Sequence, residues 1–332
     1  MVFVTGGTGL IGTFLIKHLL QQGAVIKALY RQNIPARFQN IAQLEWIQGD
    51  ILDATLLRKI IREADAVYHC AGLVSYAPQD AEVLKSINID GTANVVNACL
   101  ANARVSLCHV SSIAALGVVK GNQPITEEAK WDGALEHSLY ANSKYFGELE
   151  VWRGIAEGLK AVIVNPSVVL GPADEINRSS TQLFKYVADE KPYYTAGSAN
   201  FVDVRDVVSA MVGLMERPNA AGERYIISTG EWSYKEFFDL VARCLHKKAP
   251  SWKVPGLVTE MIWRLERVRS VFTRQRPLIT KETARMAKKN NTYSNEKIRT
   301  LLQTTFRPLP ETIAWCCQEL IKQQRLSETV ST

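Results

Sequence analysis

The stretch that most limits what this chain can fold into stands at its start. An apolar run, Val2 to Thr5, leads directly into Gly6-Gly7-Thr8-Gly9-Leu10-Ile11-Gly12 and then into an amphipathic segment. Each of three glycines meets a separate need: Gly6 permits a tight turn, Gly9 lets the backbone approach a pyrophosphate, and Gly12 allows a helix to pack closely. The helix start at Leu10 and Ile11 offers free N–H groups and a partial positive charge to a phosphate. Between a strand and a helix, this pattern predicts a dinucleotide site rather than a plain turn.

The same alternation continues to about Asn165. Val2 to Thr5, Val25 to Tyr30, Leu44 to Ile47, Ala66 to Cys70, Val105 to Val110 and Ala161 to Asn165 read as buried strands. Leu10 to Gln22, Ala54 to Arg62, Gln79 to Asn102 and Leu139 to Glu157 read as helices. Strands alternating with helices imply right-handed crossovers and a parallel sheet covered on both faces. The expected fold class is therefore α/β, a doubly wound parallel sheet of the Rossmann type, with a smaller and mostly helical C-terminal substrate domain. The predicted division is a dinucleotide-binding domain over 1–170, with 201–229 returning to it, and a substrate-binding domain over 171–200 and 230–325.

At 332 residues, with 47% apolar and 22% charged residues, the chain has an ordinary globular composition that excludes a disordered or collagen-like protein. No stretch approaches the roughly 18 apolar residues of a membrane span, and the first residues read as a strand rather than a cleavable leader. Cys70, Cys99, Cys108, Cys244, Cys316 and Cys317 have no metal-ligand spacing. The expectation is a cytoplasmic protein with no metal, no membrane span and no nucleic-acid partner. Charge is uneven: Arg264 to Arg299 carries 11 Lys or Arg against three Glu. Such a run reads as a solvated helical face, with an anionic ligand as the alternative.

The end of the second strand ordinarily decides between NAD and NADP, because an acid there holds the ribose 2′-hydroxyl and repels a 2′-phosphate. Here Leu29-Tyr30-Arg31-Gln32 contains no acid, and Arg31 can pair with a phosphate. NADP is the expected cofactor, with NAD the alternative. Asp50 and Ile51 follow the third strand and are candidates for holding the adenine by hydrogen bond and by packing. Ala71 and Gly72 follow the fourth and are small enough for a cofactor to pass.

Ser111-Ser112 follow the fifth strand, and Tyr140-Ala141-Asn142-Ser143-Lys144 opens the next helix. Tyr and Lys at i and i+4 share a helical face. Such a pair arises by chance in a chain with this many Tyr and Lys, so position carries the argument: carboxyl ends of strands are where doubly wound sheets bind ligands. His69, Cys70, Cys108 and His109 read as core residues, Cys316-Cys317 as helix packing, and Trp232, Trp252 and Trp263 as pocket or core.

In order, Thr5 to Gly12, Asp50, Asn88-Ile89-Asp90-Gly91-Thr92, Ser111-Ser112, Tyr140 to Lys144, Asn165-Pro166-Ser167 and Phe201-Val202-Asp203-Val204-Arg205-Asp206 span nearly two-thirds of the chain. On these motifs the chain resembles the extended short-chain dehydrogenase/reductases, the NAD-dependent epimerase/dehydratase group. The resemblance implies Tyr140 as general acid/base, Ser112 as partner of the substrate oxygen and Lys144 as binder of the nicotinamide ribose, with Pro166 also at the cofactor. Bringing a phenol from pKa about 10 to near 7 takes about 4 kcal/mol, and a cation about 5 Å away supplies about 3 kcal/mol at an effective dielectric near 20. On that sizing Lys144 does most of the work.

Departures from subgroup patterns narrow the reaction. Dehydratases of this group usually place Asp-Glu after the catalytic hydroxyl residue, where this chain has Ile113-Ala114. Epimerases typically carry an acid at the second strand and an Arg ahead of the Phe201 segment, where Tyr30 and Ala199 stand. The remaining pattern is most similar to the dihydroflavonol-4-reductase-like branch. It implies an NADP-dependent oxidoreductase acting on an aldehyde or ketone, or on the matching alcohol, with a homodimer left open. The alternatives are a nucleotide-sugar epimerase or sugar dehydrogenase, and a non-catalytic NADP-sensing protein.

Overall fold

The computed structural model describes residues 1–119, 121, 123–172, 180–255, 258 and 291–330, with side chains through residue 322. Trp263 and most of the basic stretch 264–299 lie outside the described residues.

The chain begins with β1 (Val2–Thr5), α1 (Leu10–Gln21), β2 (Ile26–Tyr30) and β3 (Leu44–Gln48), then α2 (Ala54–Ile61) and β4 (Ala66–His69). It continues through α3 (Ala81–Lys85), α4 (Gly91–Leu100), β5 (Ser106–Val110), α5 (Leu139–Ala156) and β6 (Lys160–Pro166). Next come β7 (Val168–Leu170), α6 (Thr181–Ala188), β8 (Tyr193–Tyr194), β9 (Ser198–Asp203), α7 (Val204–Met215) and β10 (Glu223–Ile227). The described remainder is β11 (Gly230–Ser233), α8 (Tyr234–Leu245), β12 (Trp252–Lys253), α9 (Glu296–Leu302) and α10 (Leu309–Val330).

Seven strands form the central sheet in the order β10-β6-β5-β4-β1-β2-β3, every neighbouring pair parallel. Both faces are covered, which is why β1, β4 and β5 are nearly continuous apolar runs rather than alternating ones. One core layer packs Leu15, Ile16 and Leu19 of α1 with Val207, Met211 and Leu214 of α7 over the sheet. The opposite layer joins Leu57 and Ile61 of α2, Val95 and Cys99 of α4, and Val151 of α5. The doubly wound fold read from the periodicity is the fold present.

Local chemistry sets the helix starts. The Asp53 carboxylate accepts from the Leu56 amide at 2.9 Å to open α2, and the Ser138 hydroxyl accepts from the Ala141 amide at 2.9 Å to open α5. Ser233 and Glu236 form a reciprocal capping box at α8.

Three differences from the sequence reading stand out. Within 201–229, β10 pairs with β6 in the main sheet, but β9 lies between β7 and β11 in a separate three-stranded sheet. β7, β8, β9, β11 and β12 run two to six residues each, too short for β-alternation to register. The third difference is that the helix read over Gln79 to Asn102 is broken by a wide π turn at Ser86–Asp90. Such turns re-aim a residue at the expense of regular bonding, and here that residue is Asn88. Its amide donates to the Leu73 carbonyl at 2.9 Å and to the Ser143 hydroxyl at 2.8 Å, while its oxygen accepts from the Leu73 amide at 2.8 Å.

Gly147 on α5 makes this approach possible, because a Cβ there would fall far inside contact distance of the Asn88 carbonyl oxygen. Elsewhere in a helix Gly→Ala stabilises by about 1 kcal/mol. Gly147→Ala should reverse that sign and destabilise by about 1–3 kcal/mol through overpacking. Chemical denaturation reads the result; equal or higher stability would remove the close-packing argument.

Candidate active site

The strand order reverses between β1 and β4, and the carboxyl ends of these two strands open the crevice where sheets of this kind take ligands. Gly6 has a φ of +67°, and a Cβ on it would sit 2.5 Å from the Ala71 nitrogen. Glycine is required there because the turn after β1 lies against the segment leaving β4. Gly12 packs against Gly6 with equally little room. The Gly9 amide donates to the Gly6 carbonyl at 3.0 Å, and Gly9 opens α1 with no side-chain cap and no acid in the first turn. An uncapped helix start with a glycine approach is suited to a pyrophosphate. Leu10 is half-buried against Gly171, and Ile11 borders the core layer under α1.

The other predicted cofactor residues fall along the same edge. Arg31 is exposed just past β2, its carbonyl accepting from the Gln48 amide at 3.2 Å. Asp50 accepts from the Leu52 amide at 3.0 Å and so shapes its own turn. The Ile51 side chain is buried against Gly91, where the absence of a Cβ leaves it a pocket. Ala71 and Gly72 follow β4 into the crevice, and Pro166 is buried at the end of β6 beside Ile227.

Ser112, Tyr140 and Lys144 come together at the ends of β5 and α5. The Ser112 hydroxyl accepts from the Ala114 amide at 3.1 Å and acts on the Tyr140 phenol in the direction that favours its ionised form. The Tyr140 ring is buried with the Tyr76 ring edge-on at 5.6 Å. Lys144 is also buried; its ammonium donates to the Val110 carbonyl at 2.7 Å and lies beside Gly72.

Burial raises the Tyr140 phenol above its ordinary value, with the Ser112 hydroxyl acting in the opposite direction. The Lys144 ammonium is turned to the Val110 carbonyl and Gly72. Burial lowers Lys144 itself to about 8, against the nearby charge of Glu148. At neutral pH the site therefore holds a protonated phenol beside a cation.

Behind these groups lie residues to which the sequence reading gave no role. Glu148 is buried and accepts from Ser111 and Asn165, and Asn165 also holds the Ser112 carbonyl at 3.0 Å. Their signal was the spacing Tyr140, Lys144, Glu148 along one face of α5. Asn88 was flagged only as the first residue of the Asn88-to-Thr92 motif, with no role given to it, and Tyr76 carried no signal. His69, Cys108 and His109 are buried, as are Cys316 and Cys317, which belong to the small core around Phe184, Phe201 and Phe237. Trp232 borders that core, while Trp252 is 65% exposed. No group of His, Cys, Asp or Glu among the described residues is placed to hold a metal, and no helix among them is long and apolar enough to cross a membrane.

Residues 2–228 match the model of the NAD dependent epimerase/dehydratase family. Tetraketide alpha-pyrone reductase 2 of Arabidopsis thaliana is 32% identical over 265 residues, 72% of this chain and 80% of that protein. Cinnamoyl-CoA reductase 1 of Oryza sativa subsp. japonica is 29% identical over 245 residues, 69% of this chain and 71% of that protein. The crystal structure of gox2253 superposes with a TM-score of 0.83 at 26% identity, covering 98% of this chain and 99% of the other. A glycine turn set in the crevice of a doubly wound sheet, with the family's motifs in order along it, leads to one conclusion: the chain belongs to the NAD-dependent epimerase/dehydratase family, in its dihydroflavonol-4-reductase-like branch, and is an enzyme of CH–OH/C=O chemistry.

Proposed function

We propose that this enzyme is an NADP-dependent carbonyl reductase, reducing an aldehyde or ketone through Ser112, Tyr140 and Lys144. The observation that carries the reading is the meeting of the buried Tyr140 phenol, the Ser112 hydroxyl and the buried Lys144 ammonium at the carboxyl edge of the sheet. A protonated phenol is what reduction needs, since the carbonyl oxygen must receive a proton as its carbon receives a hydride. A bound reduced nicotinamide supplies that hydride. Tyr140 donates the proton, the Ser112 hydroxyl orients the substrate oxygen, and Lys144 holds the cofactor ribose from its place beside Gly72. Gly6, Gly9, Leu10, Ile11 and Gly12 take the pyrophosphate, and Asp50, Ala71 and Pro166 border the cofactor. The reductase names of the two plant relatives support the same reaction class.

The test is purified enzyme with NADPH and a panel of aldehydes, ketones and UDP-sugars. One NADPH should be consumed per carbonyl reduced, with UDP-sugars unchanged. Bound NAD retained through purification, together with interconversion of a nucleotide-sugar pair and no net cofactor consumption, would establish the epimerase instead.

Cofactor choice gives a separate expectation. With no acid at the end of β2 and Arg31 exposed there, NADPH should bind at least about tenfold more tightly than NADH, a difference of about 1.4 kcal/mol. Arg31→Ala should narrow the gap. Fluorescence titration showing NADH equal or tighter would overturn the preference.

A further inference from the structure

Four donors from four parts of the chain converge on the Glu148 carboxylate, which is 1% exposed. The Ser111 hydroxyl donates to Oε2 at 2.6 Å and Asn165 Nδ2 donates to the same oxygen at 2.8 Å. Trp152 Nε1 and Arg224 Nη1 donate to Oε1 at 3.2 and 3.1 Å. All four are donors, and only an ionised carboxylate can accept from all of them; a neutral amide would present its own N–H groups to two.

The consequence for the reaction centre is geometric. Asn165 uses the same amide nitrogen to hold the Ser112 carbonyl at 3.0 Å, so both residues of the corner after β5 are tied to one carboxylate. Arg224 extends the clamp to the loop between β5 and α5, donating to the carbonyls of Glu127 at 2.8 Å and Ala129 at 3.2 Å. Glu148 also stands one turn beyond Lys144 on the same face of α5.

We propose that Glu148 is a positioning residue for the centre, holding the Ser111-Ser112 corner against Tyr140 and keeping an anion behind the Lys144 ammonium. This rests on the roles given above to Ser112, Tyr140 and Lys144. The groups that act on Lys144 are Glu148 on its own helix, His69 and Cys70 at the end of β4, and His109 on β5. Burial leaves both histidines neutral and pushes the Cys70 thiol up to about 12. Among the described groups acting on Lys144, Glu148 is thus the one carboxylate, and Arg224 of β10 is its ion-pair partner.

The experiment compares wild type, Glu148→Gln and Ser111→Ala. NADPH binding is followed by fluorescence from pH 6 to 9.5, and turnover is measured with the best carbonyl of the panel. Ser111→Ala should lower kcat about 10- to 100-fold, the scale of a small misplacement of a reacting group, with the pH profile of NADPH binding unmoved. Glu148→Gln should show the same loss of kcat and also move the alkaline midpoint of binding down by about one pH unit, because Lys144 loses the charge that favours its proton. A merely structural role would leave that midpoint in place. A folded Glu148→Gln protein with wild-type kcat and midpoint overturns the proposal. Should Glu148→Gln fail to fold, Ser111→Ala decides, since it keeps the Glu148–Arg224 pair: a reduced kcat supports the clamp and an unchanged kcat overturns it. Wild type binding neither NADPH nor NADH would instead overturn the proposed function, and this inference with it.

Discussion

Tyr140→Phe lowers turnover by about 10²- to 10⁴-fold, the range for loss of a positioned proton donor, and leaves NADPH affinity nearly unchanged. The ring is buried and packed edge-on by Tyr76, and Phe retains both features. The phenolic O–H alone is removed. Ser112 keeps the Ala114 amide at 3.1 Å, so the stability change should stay within about 1.5 kcal/mol of wild type. Steady-state rates and a fluorescence titration on the same preparation separate the two effects. Full turnover by the Phe variant would take Tyr140 out of the reaction.

Lys144→Met produces the opposite pairing, loss of cofactor binding with gain of apoprotein stability. The ammonium is buried and its pKa falls from 10.5 to about 8, a depression worth about 3 kcal/mol of unfavourable burial at neutral pH. Met has a similar shape without the charge, although the Val110 carbonyl loses a donor at 2.7 Å, so the net gain should be about 1–2 kcal/mol. The sign follows from proton counting. Between pH 8 and 10.5 the unfolded lysine holds its proton and the folded one does not, so wild-type stability rises with pH across that window. The advantage of the Met variant should therefore be full at pH 7 and shrink toward pH 9.5, as thermal unfolding of the cofactor-free proteins would record. NADPH binding by wild type should weaken as pH rises through about 8. An apoprotein less stable than wild type at pH 7 would refute the burial argument.

Much of the candidate site was legible in the sequence because it lies in short contiguous motifs at strand ends. Thr5 to Gly12, Ser111-Ser112 and Tyr140 to Lys144 each carry their geometry locally: a turn, a strand exit, one helical face. The π turn at Ser86–Asp90 was not legible, since its segment has the periodicity of an ordinary helix and its cause is Asn88 reaching Leu73 and Ser143. The short strands β7, β9 and β11 were missed for a related reason: three to six residues give too little alternation, and their pairing partners come from distant parts of the chain.

The electrostatic state of the centre was decided by tertiary structure alone. From spacing, Lys144 and Tyr140 stand one helical turn apart and the lysine is expected to lower the phenol. In the fold the ammonium is drawn to the Val110 carbonyl and the phenol is raised by burial. The sequence by itself determined the doubly wound sheet, the glycine turn and the order of Ser112, Tyr140 and Lys144, because strand and helix periodicity and turn chemistry act between near neighbours. Only the tertiary structure brought Ser111, Asn165 and Arg224 onto Glu148, because hydrogen bonds between groups up to 76 residues apart depend on which strands the sheet places side by side.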